Sequence, residues 1–437
     1  MILQTLLLSL ASALPSADPQ PAALPNLFAI RVGRAETITN GTLQHAVILV
    51  EGGKIVTIGE DLPVERGIPV IDRPDWVVMP GLVNAYSRLS LEGDAGEEFS
   101  PENKASDELF ADSEELKDVV KYGVTTLGLY PAGNGVCGQA VAIRPLGKTN
   151  ADLVLADSCY LKIVLRASSS SKRALRDGFK KADDYVEKEK KAREKWDKEQ
   201  EKKKSKPTTK KEESKSEDEK KDDSKDEKKS AGPDVYVPPE ADPKAQAFLD
   251  LRSGKLRALV SVQSAAEYLH FLDALGEEKI SWDLRLPLQR ESDLYYVLEK
   301  KAYGLEADGI GDKKARCVLE PTLTVEPGTM HVRNLPMEFA RAGAKLVLIP
   351  RSESNPDHEH WLANVGEVVA AGLDRATALR AMTLEAAELL GVDKRLGSLE
   401  KEKDANLLFF SGDPLEPTSK LEAVMLEGRI VFGEVKP

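Results

Sequence analysis

The chain has 437 residues, 41% of them hydrophobic, and a net charge of -12. That length can bury one large core with a smaller one beside it, and the charge argues against nucleic acid as a partner. Three cysteines, Cys137, Cys159 and Cys317, are odd in number and widely spaced; with no Cys-x-x-Cys pair to hold a metal or cycle redox state, they read as buried thiols.

At the start, an apolar run from Ile2 to Leu10 is followed by Ala11-Ser12-Ala13 and Pro15. This has the form of a secretory signal over residues 1–17, although the positively charged start is missing, and it predicts a periplasmic or secreted protein; the competing reading is an unstructured cytoplasmic leader. No other stretch reaches the roughly 20 apolar residues that a membrane span needs. Next come strand-like runs at Phe28 to Val32, Ala46 to Val50 and Lys54 to Gly59, with Gly52-Gly53 marking a tight hairpin. The C-terminus repeats the style at Asp404 to Phe410, Ala423 to Leu426 and Arg429 to Phe432. Neither set completes a domain alone, which predicts a composite β-sandwich from residues 24–79 and 396–437.

Between them, β-type runs such as Thr125 to Leu129, Val154 to Ala156, Leu259 to Val262, Leu284 to Leu288, Cys317 to Leu319 and Lys345 to Ile349 alternate with helical ones. The helical candidates are Asp112 to Tyr122, Ala265 to Leu275, Asp293 to Ala302, Leu335 to Ala342 and Trp361 to Ala371. Such alternation predicts an α/β fold with a parallel sheet over residues 80–395, of a length that fits a (β/α)8 TIM-like barrel; a doubly wound open sheet has the same periodicity. A charged, low-complexity insert at about 181–235 interrupts it. Residues 181–230 hold 19 Lys or Arg and 17 Asp or Glu, too polar to offset the entropy of ordering, so a solvated helix to about Lys204 and a disordered second half are expected. The bland reading is a solvated insert and the sharper one a binding arm. The chain carries no Gly-x-Ser-x-Gly elbow, no Walker loop and no Gly-x-Gly-x-x-Gly opening a helix after a strand; Asp308 to Asp312, though glycine-containing, reads as a loop.

The segment Val78-Met79-Pro80-Gly81-Leu82-Val83-Asn84-Ala85-Tyr86-Ser87-Arg88-Leu89 resembles the first barrel strand of the amidohydrolase superfamily, whose Pro-Gly-Leu opening leads into His-x-His. Residues two apart on a strand share a side, which suits two imidazoles aimed at one metal. Here those places hold Tyr86 and Arg88. Further stretches are similar to the imidazolonepropionase-like branch: Ile48 to Gly59, Asn134 to Ala140 (a Gly-Gln loop of one subgroup), Leu373 to Gly391, Leu396-Gly397-Ser398-Leu399, Lys403 to Leu407 and Gly412-Asp413-Pro414-Leu415. The resemblance implies a barrel whose C-terminal mouth carries one or two divalent metals, held by the two first-strand histidines, a mid-barrel lysine (carboxylated) or glutamate, two more strand-end histidines and an aspartate after the last strand. At the matching places stand Tyr86, Arg88, Lys162, Gln263, Gln289 and Arg351.

The chain has five histidines: His45, His270 and His331 fall away from the mouth, while His358 and His360 lie after the last barrel run in Asp357-His358-Glu359-His360. That tetrad reads as a polar helix start, with a displaced metal site as the weaker alternative. Guanidinium groups grip carboxylate or phosphate, so Arg88 and Arg351 form a candidate anion site with Lys162 near the same mouth, unless they pair with local acids such as Glu92, Asp94 or Glu353. The preferred reading is a degenerate amidohydrolase-like protein with no expected cofactor, acting as a binding or partner subunit for an anionic small molecule, a homodimer or a heterodimer with an active relative. The alternative is a hydrolase of amide or cyclic amide C–N bonds that uses Lys162, His358, His360 and carboxylates not singled out by any motif, with zinc or another divalent metal.

Overall fold

The computed structural model describes residues 24–94, 96–204, 235–298 and 315–435. The expected signal segment, the second half of the charged insert and the Asp308 to Asp312 loop lie outside the described residues.

Chain entry builds β1 (Leu27–Glu36), β2 (Thr42–Glu51), β3 (Lys54–Glu60) and β4 (Val70–Pro80). β1 and β2 pair antiparallel from Leu27↔Glu51 to Glu36↔Thr42, and the β2–β3 hairpin turns on Gly52 and Gly53 at φ 57° and 80°, which only glycine adopts without cost. β4 runs parallel to β1.

The barrel region follows with β5 (Leu82–Ser87), β6 (Val124–Leu129), β7 (Gly135–Gln139), β8 (Val141–Ile143), β9 (Val154–Ala156), β10 (Leu161–Val164), β11 (Ala258–Ser261), β12 (Trp282–Arg285), β13 (Arg316–Leu319), the short hairpin β14 (Thr324–Val325) and β15 (Val332–Arg333), and β16 (Lys345–Leu348). Two ladders result, β5-β6-β8-β9 and β16-β13-β12-β11-β10-β7. β7 and β8, separated only by Ala140, belong one to each ladder, and both run antiparallel to the neighbours β10 and β6. The architecture is therefore α/β of TIM-barrel type with an extra β domain, but it is not a ring of eight parallel strands. A parallel crossover needs about a dozen residues. The link from Leu129 to Gly135 is too short for that, so β7 does not follow β6 as a parallel neighbour; it pairs with β10, and β8 returns antiparallel beside β6.

No ladder joins β5 to β16 among the described residues. The helix Leu384–Leu390 stands at that seam, in contact with both strands, and the Val83 amide donates to Met382 O at 2.9 Å. Its Ala386, Ala387, Leu389 and Leu390 join Val83, Ala85, Leu259, Val318 and Val347 in an interior cluster. Gly128 permits this approach: a Cβ there would lie 2.6 Å from both Ala85 O and Leu390 Cδ2.

At the C-terminal end β17 (Leu407–Phe410), β18 (Leu421–Leu426) and β19 (Arg429–Gly433) return to β4, with Phe409 opposite Val78. The two ends thus form one seven-stranded sheet, β19-β18-β17-β4-β1-β2-β3, where two sheets were expected. Its opposite edges meet, because a Cβ on Gly53 in the β2–β3 turn would fall 2.6 Å from Glu427 O in the β18–β19 turn. Alternate residues, among them Phe28, Ile30, Ile48, Phe409 and Met425, fill the space enclosed by the curled sheet.

Of the insert, the helix Ser169–Lys204 is described. It buries Leu175, Phe179 and Ala182, with Phe179 edge-on to Phe248 of the helix Pro243–Ser253. Past Ala182 it is held by Tyr185 Oη donating to Pro239 O at 2.9 Å and by the Trp196–Tyr236 edge contact at 5.8 Å. The helices Ala265–Leu275, Leu335–Arg341 and Trp361–Ala370 fall where the periodicity predicts. Asp112 to Tyr122 divides into Glu114–Asp118 and Val119–Tyr122, and the described part of Asp293 to Ala302 is a 3-10 turn at Leu294–Leu298. No helix among the described residues is long and apolar enough to cross a membrane.

Candidate functional site

The parallel strands aim their C-terminal ends at one mouth. β5 delivers Tyr86, Ser87 and, just beyond, Arg88; the turn after β6 delivers Tyr130 and Pro131; β10 carries Lys162, β12 ends at Arg285, Glu320 follows β13, and Glu353 follows β16. The β5–β6 ladder shifts register between Asn84 and Ser87, and Tyr86 packs against the same interior cluster as Val83 and Ala85. Strict alternation forbids that, and the irregularity supplies the extra half-turn.

Tyr86 stacks on Tyr130 with centroids 3.9 Å apart and planes at 28°, and the Arg285 guanidinium carbon sits 5.1 Å from the Tyr86 ring centre. Arg285 grips Glu320 with two N–H groups, Nη1 to Oε2 at 3.1 Å and Nη2 to Oε1, and Glu320 Oε2 also accepts from the Leu288 amide at 2.8 Å. Burial pulls the Arg285 pKa down, but the Glu320 carboxylate more than offsets it, so the guanidinium keeps its charge. Burial pushes the Tyr86 and Tyr130 phenols up, and the Tyr160 phenol, which donates to Ala85 O at 3.1 Å, well up, so all three stay neutral.

Lys162 is 5% exposed. Its Nζ lies 4.1 Å from the Tyr130 ring centre and donates to Pro131 O at 3.2 Å. Burial brings its pKa down to about 8; the neighbouring Cys137 works the other way, and Arg88 and Arg166 add to the fall. Burial likewise pushes the Cys137 thiol up. Glu353 accepts from Ser87 Oγ at 2.7 Å and the Arg88 amide at 3.1 Å, yet burial still raises its pKa.

Of the residues singled out from sequence, Tyr86, Arg88 and Lys162 converge here. The Arg88 guanidinium is spent on the carbonyls of Tyr130 (3.0 Å), Leu91 (3.2 Å) and Gly93 (3.0 Å), with Glu108 at 3.7 Å. Arg351 is exposed and reaches Pro321 O and Glu367 Oε2, each at 3.3 Å. The two guanidiniums expected to share an anion are thus committed to separate partners, and the local acids involved are Glu108 and Glu367. Gln263 and Gln289 are exposed; of the two buried charged side chains on β12, Asp283 pairs with Arg257 and Arg285, at the strand's C-terminal end, stands at the mouth.

His358 is 1% exposed, its Nδ1 on Ser354 O at 3.0 Å and its Nε2 without a partner. His360 is exposed, with Nδ1 on Pro356 O at 2.7 Å, so the pair does not face a common point. Among the described residues no group of three or more His, Cys, Asp or Glu could hold a metal ion. The donor set at the mouth does not fit a divalent cation either. Phenol, ammonium and guanidinium offer a cation no strong lone pair at neutral pH, and both carboxylates are already engaged. Tyr130, Tyr160, Cys137, Arg285 and Glu320 escaped motif reasoning. Only Arg285 left a signal, as one charge inside the apolar run Leu284 to Leu288.

A model of the amidohydrolase family matches residues 357–431. No curated protein matches the chain. Among solved structures it is similar to an amidohydrolase from Thermotoga maritima MSB8, with 20% identity and a TM-score of 0.69 over 93% of this chain and 100% of that one. It is also similar to a Xaa-Pro dipeptidase with bound methionine in the active site, with 13% identity and a TM-score of 0.52 over 92% and 99%. At these identities the structural likeness speaks for the fold.

Proposed function

We propose that the chain is a member of the amidohydrolase superfamily, a reading that the family match at residues 357–431 and the likeness of fold support, that its mouth has exchanged the metal site for an internal ion pair, and that it works as a binding or partner subunit instead of a hydrolase. The observation that carries this reading is the buried Arg285–Glu320 pair beside the Tyr86–Tyr130 stack. A fixed guanidinium against the Tyr86 ring supplies positive charge where the superfamily places a cation, and it repels a second one. On this reading the chain is exported by its first residues and acts as a homodimer or beside an active relative.

A second reading, hydrolysis of amide or cyclic amide C–N bonds with zinc or another divalent ion, draws on one observation, the unpartnered Nε2 of buried His358. Lys162 and His360 were its other candidate ligands, and His360 faces solvent. Elemental analysis of the full chain purified from zinc-supplemented medium separates the two. Metal far below stoichiometric is expected; about one ion per chain, with chelator-sensitive hydrolysis, would overturn the proposal.

A further inference from the structure

We propose that the cleft between the hairpin tips of the seven-stranded sheet and the lower end of the barrel binds an amphipathic anion, a single carboxylate or sulfonate on an apolar body. This goes beyond the reading of the mouth and is independent of it. β8 runs against its parallel neighbours, so its exit places Arg144 at the end opposite Tyr86 and Lys162. There the turns at Gly52-Gly53 and Glu427-Gly428 and the segment from Arg144 to Leu155 enclose a cleft of about 1500 Å³, ample for a small ligand.

Charge selects the ligand. Arg144 Nη1 pairs with Glu427 at 2.6 Å, Arg395 Nη2 with Asp404 at 2.6 Å, and Lys54 Nζ with Asp404 at 3.2 Å. The remaining acid, Asp152, accepts from the amides of Thr149 and Lys148 at 3.0 and 3.2 Å. Every carboxylate lining the cleft is therefore engaged, whereas the exposed side chains of Lys148 and Arg429 have no ion pair among the described residues. In addition, the Nε–H of Arg144 is buried and has no acceptor. A buried N–H without a partner costs free energy, so Arg144 keeps one donor unspent at the wall of the cleft. Leu146, Leu155 and Val431, each partly exposed, supply the apolar wall. A polyanion is disfavoured because Glu427 and Asp404 stand in the same cleft, so one negative head on an apolar body is the chemistry that fits.

Calorimetric titration of the full chain with dodecanoate below its micellar concentration, and with uncharged dodecanol, tests the assignment. The carboxylate should bind at one site per chain, more tightly than the alcohol. Lys148→Glu/Arg429→Glu should weaken it about tenfold, as reversal of two rim charges implies, with the urea unfolding midpoint unchanged. Both positions are exposed, so the variant folds, and Arg144→Met provides a second one that removes the orphan donor. No binding by the parent chain, equal binding of acid and alcohol, or undiminished binding by both variants would overturn the proposal.

Discussion

The Arg285–Glu320 pair gives the sharpest test of how the mouth is built. Their side chains are 8% and 9% exposed, so each charge has lost most of its hydration and depends on the other. Replacing Glu320 with Leu leaves a guanidinium buried against Tyr86 and strips the Leu288 amide of its acceptor. Breaking one side of a buried pair costs about 3–5 kcal/mol, and the orphaned amide puts Glu320→Leu toward the upper end. Arg285→Met should cost less, because the isolated carboxyl can take up a proton and keep its bond from Leu288. The double variant Arg285→Met/Glu320→Leu leaves no buried charge, so it should be more stable than Glu320→Leu alone and depart from the sum of the single changes by at least about 2 kcal/mol. Urea unfolding of the four proteins, followed by tryptophan fluorescence, measures the cycle. Additive losses, or a Glu320→Leu variant within about 1 kcal/mol of the parent, would refute the claim that this pair is desolvated and organises the mouth.

Two further outcomes follow from the same region. Lys162 has its folded pKa lowered from 10.5 to about 8, so its charged form is disfavoured by folding: the penalty is full below pH 8, is relieved as pH rises from 8 to 10.5, and is absent above. Relative to Lys162→Met, the unfolding free energy of the parent should rise across that window by on the order of 3 kcal/mol; a flat difference between parent and variant would show that the amine is not desolvated. Gly128→Ala should cost about 1–3 kcal/mol by overpacking, since its Cβ would press on Ala85 O and Leu390 at 2.6 Å; an unchanged melting temperature would remove the helix Leu384–Leu390 from the barrel interior.

Much of the fold was legible because its signals are local. Gly52-Gly53 admits the positive φ that a tight hairpin needs, and the alternation of β1 and the helical period of Trp361–Ala370 need no distant partner. The antiparallel β7–β8 segment escaped because Asn134 to Ala140 was read by its resemblance to a Gly-Gln loop, whereas the short link from Leu129 to Gly135 was the physical clue. Tyr86 and Lys162 were placed through the strands that carry them. Gln263 and Gln289 stand where the resemblance puts the family's later strand-end histidines, and both are exposed.

What no motif could supply was the pairing of residues 35 positions apart, Arg285 with Glu320, yet the sequence held half of that argument. An arginine inside Leu284-Arg285-Leu286-Pro287-Leu288 cannot be buried alone, because an isolated charge there costs far more than any strand recovers. It demands a carboxylate at the same depth. Adjacent parallel strands end at the same level, so the acid must follow the next apolar run, and the first one after Cys317-Val318-Leu319 is Glu320. On the proposed reading, a barrel that carries its own buried cation in this way has little electrostatic reason to place metal-binding imidazoles at Tyr86 and Arg88, because the fixed guanidinium already repels a second positive charge there.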